Sequence, residues 1–575
     1  MNGSDIKKTT VSKMTDRNWK RLHSRKNGRL MSRANKQLSD KLFLPLEYFS
    51  NKDNITIIQQ IKALYLENTL SIPDVIYSVG MALLLKNGIA EKARFVTADK
   101  LQLIPEIMNL VLPDDEYDLL GLIYQSLVTE GEKNRKGSYY TPISVAEYMT
   151  RDLDFSAGQI FLDPCCGSGA FILSLKGAKP SQIYGCDIDP IAVMMAKFNL
   201  LLKYPTEDFE PHIYCCDFLN DNSFVDIRYS YIMSNPPWGA IIYDSKKQPV
   251  TTKESFSFFY EKAYGYLAEG GIIRFLLPES VLNVKTHLGF RRFLLENGIL
   301  NSITLYPGLF SGVQTNYISV ETECHETKSL NDCCFSKGIV KVYEMSGTNS
   351  EKLEVKLVRD VLKSCFYITK SLNFNILTED DYHRIRKIID KGKYTLKDSI
   401  WGLGIVTGDN KKQLKKRKKG RLESIYTGKD IKSFILNKPK KYILYKRNDF
   451  QQVAKDEIYR AEEKLVYKFI SKDLVFAYDN SASLFLNSAN VLIPKIPGMS
   501  IKTVMAFLNS SLFNYLYKSL FGEIKILKGN LMELPFPEIT PETDARLTSL
   551  VDEVMSGNKE AIQLIDNEIY KAFGL

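Results

Sequence analysis

Residues 160–175 read IFLDPCCGSGAFILSL. Apolar residues lead into Asp163, glycines follow at Gly167 and Gly169, and an apolar stretch of helical character begins at Ala170. That is a strand, a tight turn and a helix. Glycines at such a turn let a ligand approach the backbone, and open α/β sheets bind ligands at the carboxyl ends of their strands. Working outward, a second apolar run, residues 183–186, ends in Asp187 and Ile188. A third, residues 213–216, ends in Asp217 and Phe218. A carboxylate after the second strand suits a ribose diol, because it accepts from both hydroxyls. Asp217 suits an adenine amino group, with Phe218 packed on the ring. The glycine turn alone also fits a dinucleotide-binding enzyme, and a single Asp would fit a helix N-cap. Three strands ending in Asp at one edge are a stronger pattern.

The next run, residues 229–234, passes into Ser234-Asn235-Pro236-Pro237-Trp238-Gly239. Consecutive prolines continue neither a ladder nor a helix. They make a stiff turn that fixes the directions of the Asn235 amide and the Pro236 carbonyl. Two oxygen acceptors answer the two N–H donors of a planar amine, and Trp238 offers an aromatic face to the ring bearing it. Upstream, KGSYYTP (residues 136–142) places Tyr140, Thr141 and Pro142 at the opening of a helix, where an anionic group of a cofactor is favoured. Pro164-Cys165 mimics a cysteine-nucleophile motif, but it lies in the glycine loop rather than at the catalytic place.

Together with further strands over residues 159–162, 272–277, 302–306 and 317–321, and helices over 190–202, 255–268 and 280–296, these runs predict a parallel-rich α/β sheet covered on both faces. At 575 residues the chain exceeds one core. We expect a flexible basic segment over 1–45, a helical domain over 46–130, the α/β catalytic domain over 131–345, a linker over 346–390, a mixed strand and helix domain over 391–540, and terminal helices over 541–575. The nine cysteines include adjacent pairs and no zinc-type spacing, and histidines number five, so reduced thiols in a cytosolic protein and no metal are expected. No apolar run is long enough for a membrane span, and the N-terminus lacks a signal core. The formal charge of +10 concentrates in KKQLKKRKKGR, residues 411–421. A polyanion is the expected partner.

In this order KGSYYTP, FLDPCCGSG, GCDID, CDF and SNPPWG resemble the gamma class of amino-methyltransferases, the Taq-type N6-adenine DNA methyltransferases. The resemblance continues through SFSFFYEKAYGYLAEGGIIRFLLPES and YPGLFSGVQTNYISV. It extends, in GIVTGDN, YTGKDIKSF and FLNSSLFNYLYK with LPFP, to a C-terminal target-recognition domain, and so covers roughly residues 115–540. It implies a Rossmann-like class I methyltransferase sheet of seven strands, one antiparallel. It further implies S-adenosyl-L-methionine as cofactor, held by Tyr140, Thr141, Pro142, Asp163, Cys165, Gly167, Gly169, Asp187, Ile188, Asp217, Phe218 and Asn235. A flipped adenine would be gripped by Asn235 and Pro236, in the turn stiffened by Pro237, and stacked on Trp238. By position Phe259 covers its other face, with Phe256 as the rival. Trp238 departs from the commoner Tyr or Phe.

Double-stranded DNA is then the polyanion, contacted by Lys411, Lys412, Lys415, Lys416, Arg417, Lys418, Lys419 and Arg421. Lys429 and Lys432 are further candidates, with Lys446, Arg447 and Lys525 as plausible neighbours. A monomer is expected, with a separate cognate restriction endonuclease as a possible partner. RNA or protein-glutamine amino-methylation, a bifunctional restriction-modification enzyme and a non-catalytic DNA-binding subunit are the alternatives. The large C-terminal region and its basic run favour DNA. No nuclease-type carboxylate and lysine set precedes the methyltransferase motifs, and an intact SNPPWG favours catalysis.

Overall fold

The computed structural model describes residues 42, 48–68, 70–97, 100–129, 131–133, 141–221, 224, 226–238, 254–306, 316–325, 338–347, 353–522 and 525–575. The expected basic segment over residues 1–45, apart from Leu42, lies outside the described residues. The described chain divides into two compact units. One comprises the residues up to Val281 with Thr286–Asp360, the other Leu282–Lys285 with Val361–Leu575. No helix among the described residues is long and apolar enough to cross a membrane.

The first unit is built on β1 (Phe161–Asp163), β2 (Ile183–Asp187), β3 (His212–Cys215), β4 (Tyr229–Ser234), β5 (Leu267–Pro278), β6 (Ile299–Tyr306), β7 (Tyr317–Glu323), β8 (Ile339–Ser346) and β9 (Glu354–Leu362). Their spatial order is β3-β2-β1-β4-β5-β7-β6-β8-β9. β1 lies parallel between β2 and β4, and β7 is antiparallel to both β5 and β6. All three residues of β1 are buried. A central parallel strand covered on both faces needs apolar residues throughout, which is why these strands read as short continuous runs rather than alternations. The order of the sheet reverses between β1 and β4, so their carboxyl ends flank the switch point where such sheets bind ligands.

The expected seven strands are thus present, but the sheet runs to nine among the described residues, and the expected linker over 346–390 is corrected. It contains β9 and a helix of the second unit. Residues 354–360 are exposed on both faces of β9. The strand reads EVKLVRDVL and alternates charged and apolar residues over Glu354–Leu357, but its apolar side chains Val355, Leu357 and Val358 are exposed at the sheet edge, and the polar stretch before it resembles a linker.

The helices of this unit are α1 (Ile55–Glu67), α2 (Ile72–Lys86), α3 (Leu119–Leu127), α4 (Ile143–Thr150), α5 (Ala170–Ser174), α6 (Pro190–Lys203), α7 (Ser255–Tyr264) and α8 (Leu288–Glu296). α6 opens with Pro190 in its first turn and Asp189 as N-cap, whose carboxylate accepts from the Ile191 N–H. Its outer face, with Met194, Met195, Phe198 and Leu201, shares one hydrophobic core with α1–α3. The expected separate helical domain is therefore corrected to a helical layer on the sheet domain. α7 ends at Tyr264 rather than near 268, because Leu267 already pairs with Tyr229 in the sheet. The helix expected from residue 280 begins only at Leu288, after two 3-10 turns.

The second unit opens with α9 (Glu379–Lys391). Its strands are β10 (Ile400–Leu403), β11 (Leu414–Lys415), β12 (Glu423–Tyr426), β13 (Lys441–Ile443), β14 (Lys464–Lys468), β15 (Phe476–Asp479), β16 (Leu484–Phe485) and β17 (Ala489–Ile493). They form two sheets, β10-β17-β14-β15 and β11-β13-β12-β16. The longer helices that follow are α10 (Ile501–Asn509), α11 (Ser511–Phe521), α12 (Pro541–Ser556) and α13 (Ala561–Phe573), with a single helical turn over Lys528–Leu531 between α11 and α12. α12 and α13 touch α10, α11 and α9, so the residues expected as a separate terminal segment belong to this unit.

Candidate active site

β1 and β2 each end in an aspartate that closes its own turn, and Asp217, two residues beyond β3, does the same. The Asp163 carboxylate accepts from the Cys165 N–H at 3.1 Å, Asp187 from the Asp189 N–H at 2.9 Å, and Asp217 from the Leu219 N–H at 3.1 Å. All three are turn-closing carboxylates, and none is the N-cap of an α-helix. The second oxygen of Asp187 accepts from the Gly167 N–H at 2.9 Å, joining the β2 turn to the glycine loop. Gly167 and Gly169 have φ of +54° and +98°, a region costly to other residues, and a Cβ on Gly167 would meet nothing within 4 Å. The loop is thus an open backbone cradle. Ile188, at its side, is 69% exposed. A large apolar side chain beside a bare backbone turn and a carboxylate is a donor and surface set that fits an adenosine-bearing cofactor.

Asp163 is almost fully buried. Burial pushes its carboxyl up to about 7, partly offset by hydrogen bonds from the Ser234 hydroxyl and the Cys165 N–H, with Asp187 pushing it further up. Burial also raises Asp187, against the N–H groups of Asp189 and Gly167. Both loop thiols, Cys165 and Cys166, are pushed well above their usual range by burial and by the nearby carboxylates. They are therefore held as thiols, which speaks against a thiolate nucleophile in this loop.

A pH dependence follows. The folded Asp163 carboxyl holds its proton more tightly than an unfolded one with an ordinary value of 3.8. Its contribution to stability is therefore full below about pH 4, is lost as the pH rises towards 7, and is constant above. Ser234 and Cys165 both donate to the same oxygen, Oδ1, which asparagine retains. In Asp163→Asn the melting midpoint of the ligand-free protein should gain on wild type between pH 5 and 8. A constant difference over that range would contradict this.

Next to Asp163, β4 delivers the Asn-Pro-Pro-Trp turn. The Ser234 hydroxyl donates to Asp163 Oδ1 at 2.7 Å, fixing the end of β4 to the end of β1. Asn235 Nδ2 donates to Thr141 Oγ1 at 3.2 Å, so the residue before the Pro142 N-cap of α4 orients the amide. The Ser255 hydroxyl at the start of α7 donates to the Pro237 carbonyl. Among the described residues nothing bonds the Pro236 carbonyl. Trp238 is held by its edge, Nε1 donating to the Leu276 carbonyl at 3.3 Å, with its ring 4.7 Å from that of Tyr317. Thr141, Asp163, Ser234, Asn235 and Trp238 thus come together at the switch point.

Two expected site residues do not. Phe259 is 7% exposed and stacks on Phe218 at 5.9 Å and 10°. Phe218 is itself 2% exposed, with Phe224 and Tyr266 against its edges and the Lys262 ammonium over the ring. Phe256 is fully buried against His287 and Phe290. The aromatic run of α7 packs the helix on the sheet. The assignments of Phe259, or Phe256, to a base wall and of Phe218 to a cofactor ring are corrected. Tyr140 lies outside the described residues.

The sequence reading missed Ser234 and Ser255, whose hydroxyls fix the turn. A serine before NPP and one opening the next helix were the available signals. In the second unit all eight basic residues of 411–421, with Lys429 and Lys432, are exposed. Among the described residues none of those eight has an ion-pair partner. Arg447 is engaged by Asp456 at 2.7 Å.

Comparison with known proteins adds to this geometry. The N-6 DNA Methylase family model matches residues 115–329, and that of the TaqI-like C-terminal specificity domain residues 423–536. The chain is 28% identical over 346 residues to the Type II methyltransferase M.VspI of Vibrio sp. (strain 343), a match covering 57% of this chain and 79% of the relative. It is 29% identical over 217 residues to the Type I restriction enzyme MjaIX methylase subunit of Methanocaldococcus jannaschii, covering 33% of this chain and 38% of that one. Among solved structures, the Type IIL restriction-modification enzyme MmeI in complex with DNA shares the fold at a TM-score of 0.55 and 12% identity, over 92% of this chain and 91% of that one.

Proposed function

We propose that this chain, whose residues 115–329 match the N-6 DNA Methylase family and 423–536 the TaqI-like C-terminal specificity domain, is a site-specific DNA methyltransferase that methylates N6 of adenine with S-adenosyl-L-methionine as donor. The observation that carries this reading is the Asn235-Pro236-Pro237-Trp238 turn, fixed at the switch point beside the glycine cradle. The names of the relatives place such methyltransferases in type I and type II restriction-modification, which supports double-stranded DNA as substrate and a separate cognate endonuclease as partner.

An aromatic amine is a weak nucleophile because its lone pair is delocalised into the ring. When bound, S-adenosylmethionine supplies an activated sulfonium methyl, so the task of the chain is to hold and orient the amine. The target base leaves the duplex stack at a cost of a few kcal/mol. Trp238 offers it an aromatic surface, while Asn235 Oδ1 and the Pro236 carbonyl accept its two N6 hydrogens and localise the lone pair. Fixed acceptors of this kind stabilise charge developing on the nitrogen without reorganising. Methyl transfer to unmethylated plasmid DNA, followed by nucleoside analysis, tests the reading. N6-methyl-2′-deoxyadenosine supports it, and N4-methyl-2′-deoxycytidine or methylated protein overturns it.

The basic run 411–421 is proposed as a phosphate contact. Each neutralised phosphate steepens the salt dependence of binding by about 0.9 in log–log slope. Lys416→Ala with Lys418→Ala should lower that slope by about 1–2 units, measured by DNA titration between low and moderate salt. An unchanged slope would remove these residues from the interface.

A further inference from the structure

The helical layer grips both loops that form the cofactor cradle, and it does so through one short segment. Asp118, the N-cap of α3, is 1% exposed. Its Oδ1 accepts from the Gly121 N–H and from Asn199 Nδ2, each at 2.9 Å, and its Oδ2 accepts from the Ser168 hydroxyl. Asn199 also donates to the Ser168 carbonyl at 2.8 Å, so both ends of Ser168 are tied. Ser168 sits between Gly167 and Gly169, at the crown of the glycine loop. The approach is close: a Cβ on Gly121 would lie 2.1 Å from Asp118 Oδ2 and 2.6 Å from Ser168 Oγ. One residue earlier, Tyr117 donates to the Ala170 carbonyl at 3.2 Å, just past the loop. Two turns along α3, Tyr124 donates to Asp189 Oδ2 at 2.8 Å. The Asp189 N–H donates to Asp187, and Asp187 accepts from Gly167. The contacts therefore close a ring through the glycine loop, the β2 turn and α3.

We propose that residues 117–124 are the positioning element of the two cofactor loops, with Asp118 as its central positioning residue acting through Ser168. A loop with two glycines of positive φ has no rigidity of its own, and a buried carboxylate bonded to it provides a fixed point. The proposal rests on the reading of these loops as the S-adenosylmethionine site.

The test uses the full-length chain and calorimetric titration with S-adenosylmethionine, for wild type, Ser168→Ala, Asp118→Asn and Tyr124→Phe. A hydrogen bond to a charged group, once lost, weakens what it holds by about tenfold or more. Ser168→Ala and Asp118→Asn should raise the Kd for S-adenosylmethionine about tenfold, and Tyr124→Phe by a smaller factor. DNA affinity should stay at the wild-type value. A purely structural role predicts the reverse, a lowered melting midpoint with Kd within twofold of wild type, and that result overturns the proposal. Should Asp118→Asn fail to fold, Ser168→Ala alone decides, since it removes only a hydroxyl. Wild-type protein that binds no S-adenosylmethionine overturns the underlying reading instead, and is distinguished by its occurring without any substitution.

Discussion

Asn235→Ala should lower kcat by about a thousandfold while leaving the Kd for DNA within a few fold of wild type. The expected size follows from what one preorganised polar group is worth at a developing charge, about 10²–10³ in rate. The direction follows from where the side chain stands. The amide is set by the neighbouring backbone of Pro236 and Pro237 and by Thr141 Oγ1, so its oxygen is held in place before any substrate arrives. On the proposed reading, removing it takes away one of two acceptors for the N6 hydrogens. Rapid-quench single-turnover assays separate the step from DNA binding and product release. Thr141→Val should show a milder version of the same loss, because it frees the amide without removing it. Full turnover by Asn235→Ala would dismiss the amide from the reaction.

Arg274→Ala should cost the first unit about 3–5 kcal/mol of unfolding free energy, the loss expected when one partner of a buried ion network is removed. Arg274 stands in the middle of β5 and is 5% exposed. Its Nε donates to Glu321 on β7 at 2.7 Å and its Nη2 to Asp152, just beyond α4, at 2.8 Å, while Nη1 donates to the Met149 carbonyl at the end of α4. Glu321 is only 19% exposed and would keep its charge without a counterion. The consequence reaches the site, since α4 begins at the Thr141-Pro142 corner that orients Asn235. Urea unfolding followed by circular dichroism measures the loss. A change below about 1 kcal/mol would mean that water replaces the guanidinium at no cost.

Much of this was legible in the sequence because the site is made of strand ends. A central parallel strand must be apolar along its length, so its last residue stands out when it is an aspartate or the start of Asn-Pro-Pro. Asp163, Asp187, Asp217 and Asn235 could be placed on one edge before any coordinates. Phe259 and Phe218 could not, because an aromatic residue on an amphipathic helix has the same spacing whether it faces a ligand or the sheet, and here the two rings face each other. The strand Glu354–Leu362 was hidden for a different reason: its charged and apolar residues alternate only over Glu354–Leu357, and a polar stretch just before it marks a linker rather than a sheet edge. Nor did the spacing of Tyr117, Asp118 and Tyr124 announce a loop clamp. Their partners, Ala170, Ser168 and Asp189, lie 50 or more residues away in the chain.

Sequence-specific transfer to adenine N6 should depend on Asn235. Single-molecule sequencing of genomic DNA from cells producing the wild-type chain, beside cells producing Asn235→Ala, reads modification and sequence together. N6-methyladenine is expected at one recurring sequence with the wild type and is expected to be absent with the variant. Genomic DNA without a new modified base in either strain, or with the same mark in both, would contradict that expectation.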